Sequence, residues 1–537
     1  MTKSSEPYLR DLDFRGVVEG ITYLDKKSQP LCHFFGGIPY ALPPLGSFRW
    51  SKPRPLPSCY RYGTRANPGR YTEKCSLCPQ PEFNDDLKDE LWNEDCLQSN
   101  IWIPTGDPPK GGWPVLLWIH GGFLQFGSPN EEDLRAMLSE TDCKALVVCP
   151  AYRLNIFGFL ASPELLEASS DYSANVGFWD QRLALEWTWQ NISYFGGNPS
   201  NITIGGYSAG SHSVFHQLAY DLNLPDSKSI VRRALMLSNG PGLQPKPLAD
   251  AQPQFTELLS ALQIPLSLSA TEKLAQLRAL SPKTLIQATQ RLKHHQFRAV
   301  TDNTFIQPDL LASLDNGVFA HRMRHRNIHL ITGECADEHH VYGTWRPPAN
   351  NYASLLRRLQ ADYPPEACTA LLQYYFPGRK LPPGYRSWQH AFGRLYADIQ
   401  IHHLHRGMLA GLARHGAGHL VHRYRIEWRA QSCDARWPRA WGVTHGTDMK
   451  IWFWGAGDAL SGAEKRVVRD AFHAHLARFL RGEDVQWGTE HGLQVRTLGA
   501  DGTVRIEEDG ERMAEGVRVW EVVRRAGEKG VERSAKL

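Results

Sequence analysis

The first 240 residues alternate continuously apolar runs with segments of helical periodicity. Residues 113–120 and 145–149 are apolar at nearly every position, as in strands that are covered on both faces of a sheet. A further apolar run covers residues 233–237, and helical spacing is found at 131–140 and 181–190. Strands that alternate with helices predict an α/β fold with a mainly parallel sheet and helices on both faces.

More strands are predicted before and after this region. Residues 16–24 and 31–38 alternate enough to form an N-terminal hairpin, and residues 97–103 form another strand. Residues 328–332 and 421–426 supply late strands of the same sheet.

Two long segments, at about 245–300 and 345–415, carry only helical periodicity. We interpret them as helical insertions that pack over the top of one sheet, so that residues 1–537 form a single domain. The charged residues 501–537 are expected to contain one short strand near 517–523.

Charge and composition exclude several classes of protein. The 537 residues include 60 Lys+Arg and 56 Asp+Glu, a net charge of +4, and no basic run interleaved with aromatic residues. We therefore expect no nucleic-acid partner. No signal peptide and no apolar segment of about 18 residues is present, which predicts a soluble, intracellular and cytoplasmic protein without a membrane span. The C-terminal Ala535-Lys-Leu537 is a conservative variant of a peroxisomal signal, so peroxisomal import is a second possibility.

The ten cysteines are scattered, and the one C-x-x-C motif has no second pair at zinc-binding spacing. We therefore predict no metal site and no cofactor. In an intracellular chain, reduced thiols are the default.

Candidate chemistry centres on Gly206-Tyr-Ser-Ala-Gly210, which fits G-x-S-x-G. The β-branched residues 202–204 before it form a strand, and a helix follows it. A side chain on either glycine would clash as the chain doubles back, and the tight turn exposes the Ser208 hydroxyl as a nucleophile.

A serine nucleophile needs a histidine base, and the histidine needs a carboxylate to orient it. His445 is the best placed histidine, because glycines flank its loop and it follows the late strand. For the acid, Asp337 and Glu338 both follow the strand at 328–332 directly. The residues alone do not choose between these two neighbours.

Backbone donors for an oxyanion are expected at the end of the strand 113–120. Gly121, Gly122 and Phe123 leave N–H groups exposed there, and the Ala209 amide would complete the set. One such donor is typically worth about 2.7–4 kcal/mol in the transition state.

From about residue 15 to residue 455, the chain resembles the type-B carboxylesterases, the carboxylesterase, cholinesterase and lipase group of the α/β-hydrolase fold. The resemblance is carried by four blocks in order, with Glu94-Asp-Cys-Leu97 as a fifth, shorter match. The four blocks are Gly37-Ile-Pro-Tyr-Ala-Leu-Pro-Pro-Leu-Gly46, Ile119-His-Gly-Gly122, Asn175-Val-Gly-Phe-Trp-Asp-Gln-Arg-Leu-Ala-Leu-Glu-Trp187 and Phe195-Gly-Gly-Asn-Pro-Ser-Asn-Ile-Thr-Ile-Gly-Gly-Tyr-Ser-Ala-Gly210. The resemblance implies Ser208 as nucleophile, Glu338 rather than Asp337 as acid and His445 as base.

Several residues depart from the pattern of that family. Tyr207 replaces its usual glutamate, which weakens the case for a cationic, choline-like substrate. Phe123 replaces a glycine and is expected to narrow the acyl pocket, and His339 replaces another glycine after the acid. Cys78 and Cys96 match cysteines that secreted relatives join, but we expect free thiols in a reducing compartment.

The resulting hypothesis is a serine carboxylic-ester hydrolase that acts on a small to medium, soluble ester through an acyl-enzyme. One alternative is a non-catalytic binding protein on the same fold. Another is the same chemistry on an amide, a lactone, a lipid ester or a transferred acyl group. The sequence carries no signal for an oligomeric state.

Overall fold

A computed structural model of the chain describes residues 4–83 and 86–534. The C-terminal tripeptide Ala535-Lys-Leu537 lies outside the described residues.

The described strands, in chain order, are β1 (Ser5–Asp11), β2 (Val17–Leu24), β3 (Pro30–Pro39), β4 (Ala41–Leu42), β5 (Arg54–Pro55), β6 (Gly69–Arg70), β7 (Gln98–Pro104), β8 (Trp113–Ile119), β9 (Leu146–Pro150), β10 (Gly197–Tyr207), β11 (Val231–Leu237), β12 (His329–Cys335), β13 (Val421–Ile426), β14 (Gln494–Leu498) and β15 (Val504–Glu508). All except β4 and β5 join one sheet, in the order β1-β2-β3-β7-β9-β8-β10-β11-β12-β13-β14-β15, with β6 beside β2. The run from β9 to β14 is parallel throughout, and antiparallel strands flank it on both sides. This is the mostly parallel central sheet that the apolar runs predict.

Both faces of the sheet are covered, which explains why its central strands are apolar at every position. Along β8, Val115, Leu117 and Ile119 belong to one buried cluster, whereas Leu116 and Trp118 belong to another. Successive side chains of a strand point to opposite faces, so each cluster lies on its own side of the sheet.

The described helices are α1 (Arg135–Glu140), α2 (Asn155–Phe159), α3 (Pro163–Ala168), α4 (Val176–Asn191), α5 (Ala209–Asn223), α6 (Gln252–Ala261), α7 (Ala270–Ala279), α8 (Pro282–Gln290), α9 (Leu310–Asp315), α10 (Val318–His325), α11 (His339–Tyr342), α12 (Tyr352–Asp362), α13 (Pro365–Tyr375), α14 (Trp388–Ala397), α15 (His403–Arg414), α16 (Met449–Trp452), α17 (Gly462–Val468), α18 (Ala474–Arg481) and α19 (Gly510–Ser534). Helices α6 to α8 lie within the first predicted helical segment, and α12 to α15 within the second.

The strand predicted at residues 517–523 is wrong, because these residues belong to α19. Val519, Trp520 and Val523 are buried there, at the spacing of one helical face rather than of alternate strand positions. Trp520 donates to Asp315 over 2.7 Å and so ties the helix to α9. The nearby strand is β15, a few residues earlier.

The expectation of free thiols at Cys78 and Cys96 is also wrong, since a disulfide joins the two residues. The acidic segment at 79–95 is closed at its base by this bond and is buried at its start. Gln80 is buried, and its side chain both accepts from the N–H of Gly127 over 2.5 Å and donates to the Gly127 carbonyl over 3.0 Å.

Across the described ranges, none of the helices combines the length and the apolar character that a membrane crossing requires.

Candidate active site

Ser208 occupies the sharp turn between β10 and α5, and its backbone is left-handed at φ 57° and ψ −124°. The two glycines of the motif are required sterically. A Cβ on Gly206 would lie 2.4 Å from the backbone of Gly210, and a Cβ on Gly210 would lie 2.0 Å from the carbonyl oxygen of Ile119. No side chain fits at those distances, so the pattern predicted from the sequence describes the turn correctly.

The structure brings together the three side chains that the resemblance implies. The Nε2 atom of His445 lies 2.8 Å from the Ser208 hydroxyl, and its Nδ1 atom lies 2.6 Å from a carboxylate oxygen of Glu338. An ionised carboxylate only accepts, so Nδ1 carries the proton and Nε2 accepts from the serine. Strands β10 and β12 and the loop after β13 bring them together, because parallel strands share one carboxyl edge.

The backbone separates the roles of the two neighbouring acids. Glu338 is fully buried, and its second oxygen accepts from the Cys335 N–H over 2.8 Å. Asp337 instead accepts from the N–H of Val443 over 3.0 Å and so holds the start of the His445 loop. Glu338 is therefore the carboxylate that faces His445.

Aromatic rings and a second carboxyl surround His445. The rings of Tyr207 and Tyr342 lie 4.8 and 4.9 Å from the imidazole. Asp448 is buried behind it and accepts from the Ser238 hydroxyl over 2.8 Å. Burial, together with the negative charge of Glu338, raises the pKa of Asp448 to about 6.

The segment Gly121–Leu124, which we call the oxyanion strip, follows β8 and runs past Ser208. Among the described residues, the backbone N–H groups of Gly122, Phe123 and Ala209 donate to no protein acceptor. Gly121 leaves room beside the serine, since a Cβ there would lie 3.1 Å from that of Ser208. Unpaired N–H groups around a nucleophile are suited to binding a developing oxyanion.

Phe123, which stands where the resembled family has a glycine, adopts a left-handed backbone conformation that glycine adopts readily. Its φ is 57°, and the next residue, Leu124, is also left-handed at 62°. This conformation costs an ordinary residue about 1–2 kcal/mol. The Phe123 ring stacks on Trp345 at 5.0 Å, so the aromatic replacement is packed rather than exposed.

Two cavities of unequal size meet at Ser208 and Phe123. The larger, of about 460 Å³, is also lined by His445, Trp437 and Trp441. The smaller, of about 50 Å³, reaches the Ala209 side of the serine. It is lined, among others, by Ala209, His212, Asn239, Gln244, Arg298, Tyr342, Tyr396 and Gln400. The smaller space is narrow, and polar side chains form only part of its wall.

Charged side chains, which the sequence did not predict at this position, also line the larger cavity. Tyr207 brings no carboxylate, but the cavity is also lined by Glu131 and Glu132 and by Arg436 and Lys450. Burial, followed by the charge of Glu131, raises the pKa of Glu132 to about 7.

His120 and His212 lie near the site but hydrogen-bond to backbone carbonyls and not to Ser208. Burial lowers the pKa of His120 and of His212 to about 4, so both rings are neutral. His339, which replaces the glycine after the acid, begins α11. Within residues 4–83 and 86–534, no group of three or more His, Cys, Asp or Glu side chains is arranged to hold a metal ion.

Sequence reasoning missed Tyr342, Arg298 and Asp448. Asp448 stands three residues after His445 and could have been flagged from the same loop. Tyr342 and Arg298 come from segments without a motif, and only the packing of helices around the site brings them to Ser208.

Known proteins match the chain over most of its length. A model of the carboxylesterase family matches residues 9–491. The chain is 44% identical to a carboxylic ester hydrolase of Gibberella moniliformis over 543 residues, which cover 99% of each protein. It is 38% identical to an uncharacterised esterase/lipase of Schizosaccharomyces pombe over 97% of each protein.

The solved structure of Aspergillus niger EstA is similar in fold, with a TM-score of 0.75 over 97% of this chain and 99% of that one, at 21% identity. The sheet order, the family match over most of the chain and the two full-length relatives lead to one assignment. The chain belongs to the carboxylesterase family and has the α/β-hydrolase fold.

Proposed function

We propose that the protein hydrolyses carboxylic esters through a covalent acyl-enzyme on Ser208. One observation carries the proposal: Ser208, His445 and Glu338 form a continuous hydrogen-bonded chain with distances of 2.8 and 2.6 Å. A serine hydroxyl becomes an effective nucleophile when an oriented histidine accepts its proton.

In the acylation half, the Ser208 oxygen attacks the ester carbonyl carbon while Nε2 of His445 takes the hydroxyl proton. The carbonyl oxygen becomes an oxyanion, which the N–H groups of Gly122, Phe123 and Ala209 bind. Glu338 holds the imidazole in place and stabilises its positive charge. The tetrahedral intermediate then expels the alcohol, which takes the proton from Nε2.

In the deacylation half, a water molecule loses a proton to Nε2 of His445 and attacks the acyl carbonyl. The same three N–H groups bind the second oxyanion. Collapse of this intermediate breaks the bond to Ser208, whose oxygen recovers the proton from His445, and the acid is released.

The two cavities support a proposal for where the two halves of the substrate bind. The leaving alcohol must receive its proton from His445, and His445 lines the larger cavity but not the smaller one. The alcohol therefore occupies the space of about 460 Å³, and the acyl group occupies the space of about 50 Å³. This favours short acyl groups on larger alcohols.

The test combines labelling with turnover. Purified protein is treated with a fluorophosphonate, the modified peptide is identified, and rates are measured on 4-nitrophenyl esters from acetate to decanoate. We expect the label on Ser208 and the highest kcat/KM for acetate or propionate. Ser208→Ala is expected to lose about 10⁶-fold in kcat, on the precedent of serine protease triads.

Each alternative has its own outcome. A protein that is neither labelled nor active on any ester would be a binding protein, and the proposal would be wrong. Faster turnover of a 4-nitroanilide or a lactone than of the matched ester would keep Ser208 but change the substrate class. Highest activity on decanoate would contradict the assignment of the acyl group to the smaller cavity.

A further inference from the structure

The oxyanion strip has a backbone conformation that its own side chains do not favour. Phe123 and Leu124 are consecutive left-handed residues, and both have side chains. Residues other than glycine, asparagine and aspartate adopt this region rarely, and such strain persists only where the surroundings impose it. Contacts from outside the strip must therefore hold it.

These contacts converge on the carbonyl oxygens of the strained pair. The Arg298 guanidinium donates from Nη1 to the carbonyl oxygen of Phe123. The Gln125 amide reaches the same oxygen at 3.5 Å and the Phe297 carbonyl at 2.8 Å. The carbonyl of Leu124 accepts from the N–H of Asn155 over 2.7 Å. A charged donor makes the stronger kind of hydrogen bond, so Arg298 is the principal contact.

Arg298 is itself held rigidly. Its Nε atom lies 2.9 Å from Asp362, and its Nη2 atom donates to Gln296 over 2.5 Å and to the Tyr396 hydroxyl over 3.0 Å. Asp362 is buried and also pairs with Arg358 over 2.6 Å. Asp362 and Arg358 belong to α12 and Tyr396 to α14, so the second helical segment anchors the guanidinium.

We propose that Arg298 is a positioning residue that clamps the oxyanion strip, so that the N–H groups of Gly122 and Phe123 face the reacting carbonyl. The inference rests on the proposed ester hydrolysis. The Phe123 carbonyl determines the rotation of the backbone beside the donor amide, so its release lets the strip leave the left-handed pair and turns the donors away. Arg298 hydrogen-bonds to the backbone of the strip and to none of the reacting atoms, but it also lines the smaller cavity, so the test must separate oxyanion binding from binding of the acyl group.

The test compares Arg298→Met with the wild type on 4-nitrophenyl acetate and on a trifluoromethyl ketone, which adds to Ser208 and forms an oxyanion. Loss of one oxyanion donor lowers kcat by about 10²–10³-fold, so a donor that is only displaced should cause part of that decrease. We expect kcat to fall about 10–100-fold with KM within about threefold. The affinity for the trifluoromethyl ketone should fall by a similar factor. The matching methyl ketone, which forms an adduct with Ser208 poorly, should bind as before. Arg298→Lys should recover part of the loss.

Arg49→Met is the matched control. Arg49 is buried, pairs with Glu94 over 2.5 Å and donates to the backbone carbonyls of Leu277, Arg278 and Leu280. It therefore makes the same kinds of contact without touching the strip, and Arg49→Met should lower thermal stability without weakening the trifluoromethyl ketone.

A second test uses the strain directly. Glycine tolerates a left-handed backbone, so Arg298→Met should have little further effect in a Phe123→Gly background. An equal loss of kcat in both backgrounds, or an equal weakening of the trifluoromethyl ketone by Arg49→Met, would overturn the clamp. Absence of wild-type ester turnover and labelling would instead contradict the proposed function, so the two failures are distinguishable.

Discussion

Glu338→Gln is expected to abolish most activity without disturbing the fold, because it reverses one hydrogen bond. In the wild type, one carboxylate oxygen accepts from the Cys335 N–H over 2.8 Å and the other accepts from Nδ1 of His445 over 2.6 Å. A glutamine amide has only one accepting end, and the backbone N–H requires it. The amide NH₂ group then faces Nδ1, which must accept, so the imidazole proton moves to Nε2 and the base for Ser208 is lost.

The magnitude follows from two contributions. Restoring the productive tautomer places two donors face to face in a fully buried position, and an unsatisfied buried donor costs about 1–3 kcal/mol. The charge-assisted bond to the imidazolium, worth about 1.5–3 kcal/mol, is also lost. The sum of about 2.5–6 kcal/mol corresponds to about a 10²–10⁴-fold loss of rate.

The assay is kcat/KM on 4-nitrophenyl acetate, with Tm as the check on folding. Asp337→Asn is the control, since it makes the same chemical change one residue earlier, where the carboxylate supports the Val443 N–H. It should retain activity within about tenfold. If Glu338→Gln retains activity within that range, the role of the acid is refuted, and if Asp337→Asn loses more, the two acids are assigned in the wrong order.

Three further predictions concern stability. The raised pKa of Glu132, about 7 instead of 4.5, means that the folded state holds a proton that the unfolded chain has released. The free energy of unfolding should therefore fall by about 3 kcal/mol as pH rises from 4.5 to 7, and Glu132→Gln should flatten that decrease in urea titrations. Cys96→Ser opens a loop of 18 residues and should cost about 3 kcal/mol, with a Tm decrease that a reductant reproduces in the wild type. If neither the substitution nor the reductant lowers Tm, the disulfide is contradicted. Arg406→Met removes one of the cations that pair with the buried carboxylates of Glu334 and Asp509, which keep Arg425 and Arg423 respectively, and should cost about 1.5–3 kcal/mol by chemical denaturation; a change below about 1 kcal/mol would show that the remaining arginines are sufficient to stabilise both carboxylates.

The strands and the nucleophile turn are predictable from the sequence because each depends on local chemistry. A strand covered on both faces needs apolar residues throughout, and the turn at Ser208 needs two glycines for steric reasons. Residues 517–523 lack such a signal. Their apolar residues fit either period, and only packing against α9 and α15 selects the helix.

The choice of acid and the contact of Arg298 with the oxyanion strip could not be predicted from the sequence, for a different reason. Asp337 and Glu338 have equivalent chemistry and adjacent positions, so the backbone direction after β12 decides which one faces His445. Arg298 follows a helical segment that has no motif, and its contact with Phe123 spans 175 residues. Contacts of this kind depend on how distant elements dock, which periodicity does not encode.

The separation between Ser208 and His445 also bears on how the protein is made. Ser208, the proposed nucleophile, lies 237 residues ahead of His445, its proposed base. At about 5–20 residues per second, a ribosome needs about 10–50 s to synthesise that interval. Throughout this time the nascent chain can hold a nucleophile that has no proton acceptor, and a truncated product ending before residue 445 stays inert. Enzyme activity would then appear only after translation has passed His445. The onset of activity would therefore mark completion of the carboxyl edge of the sheet rather than formation of the turn at Ser208.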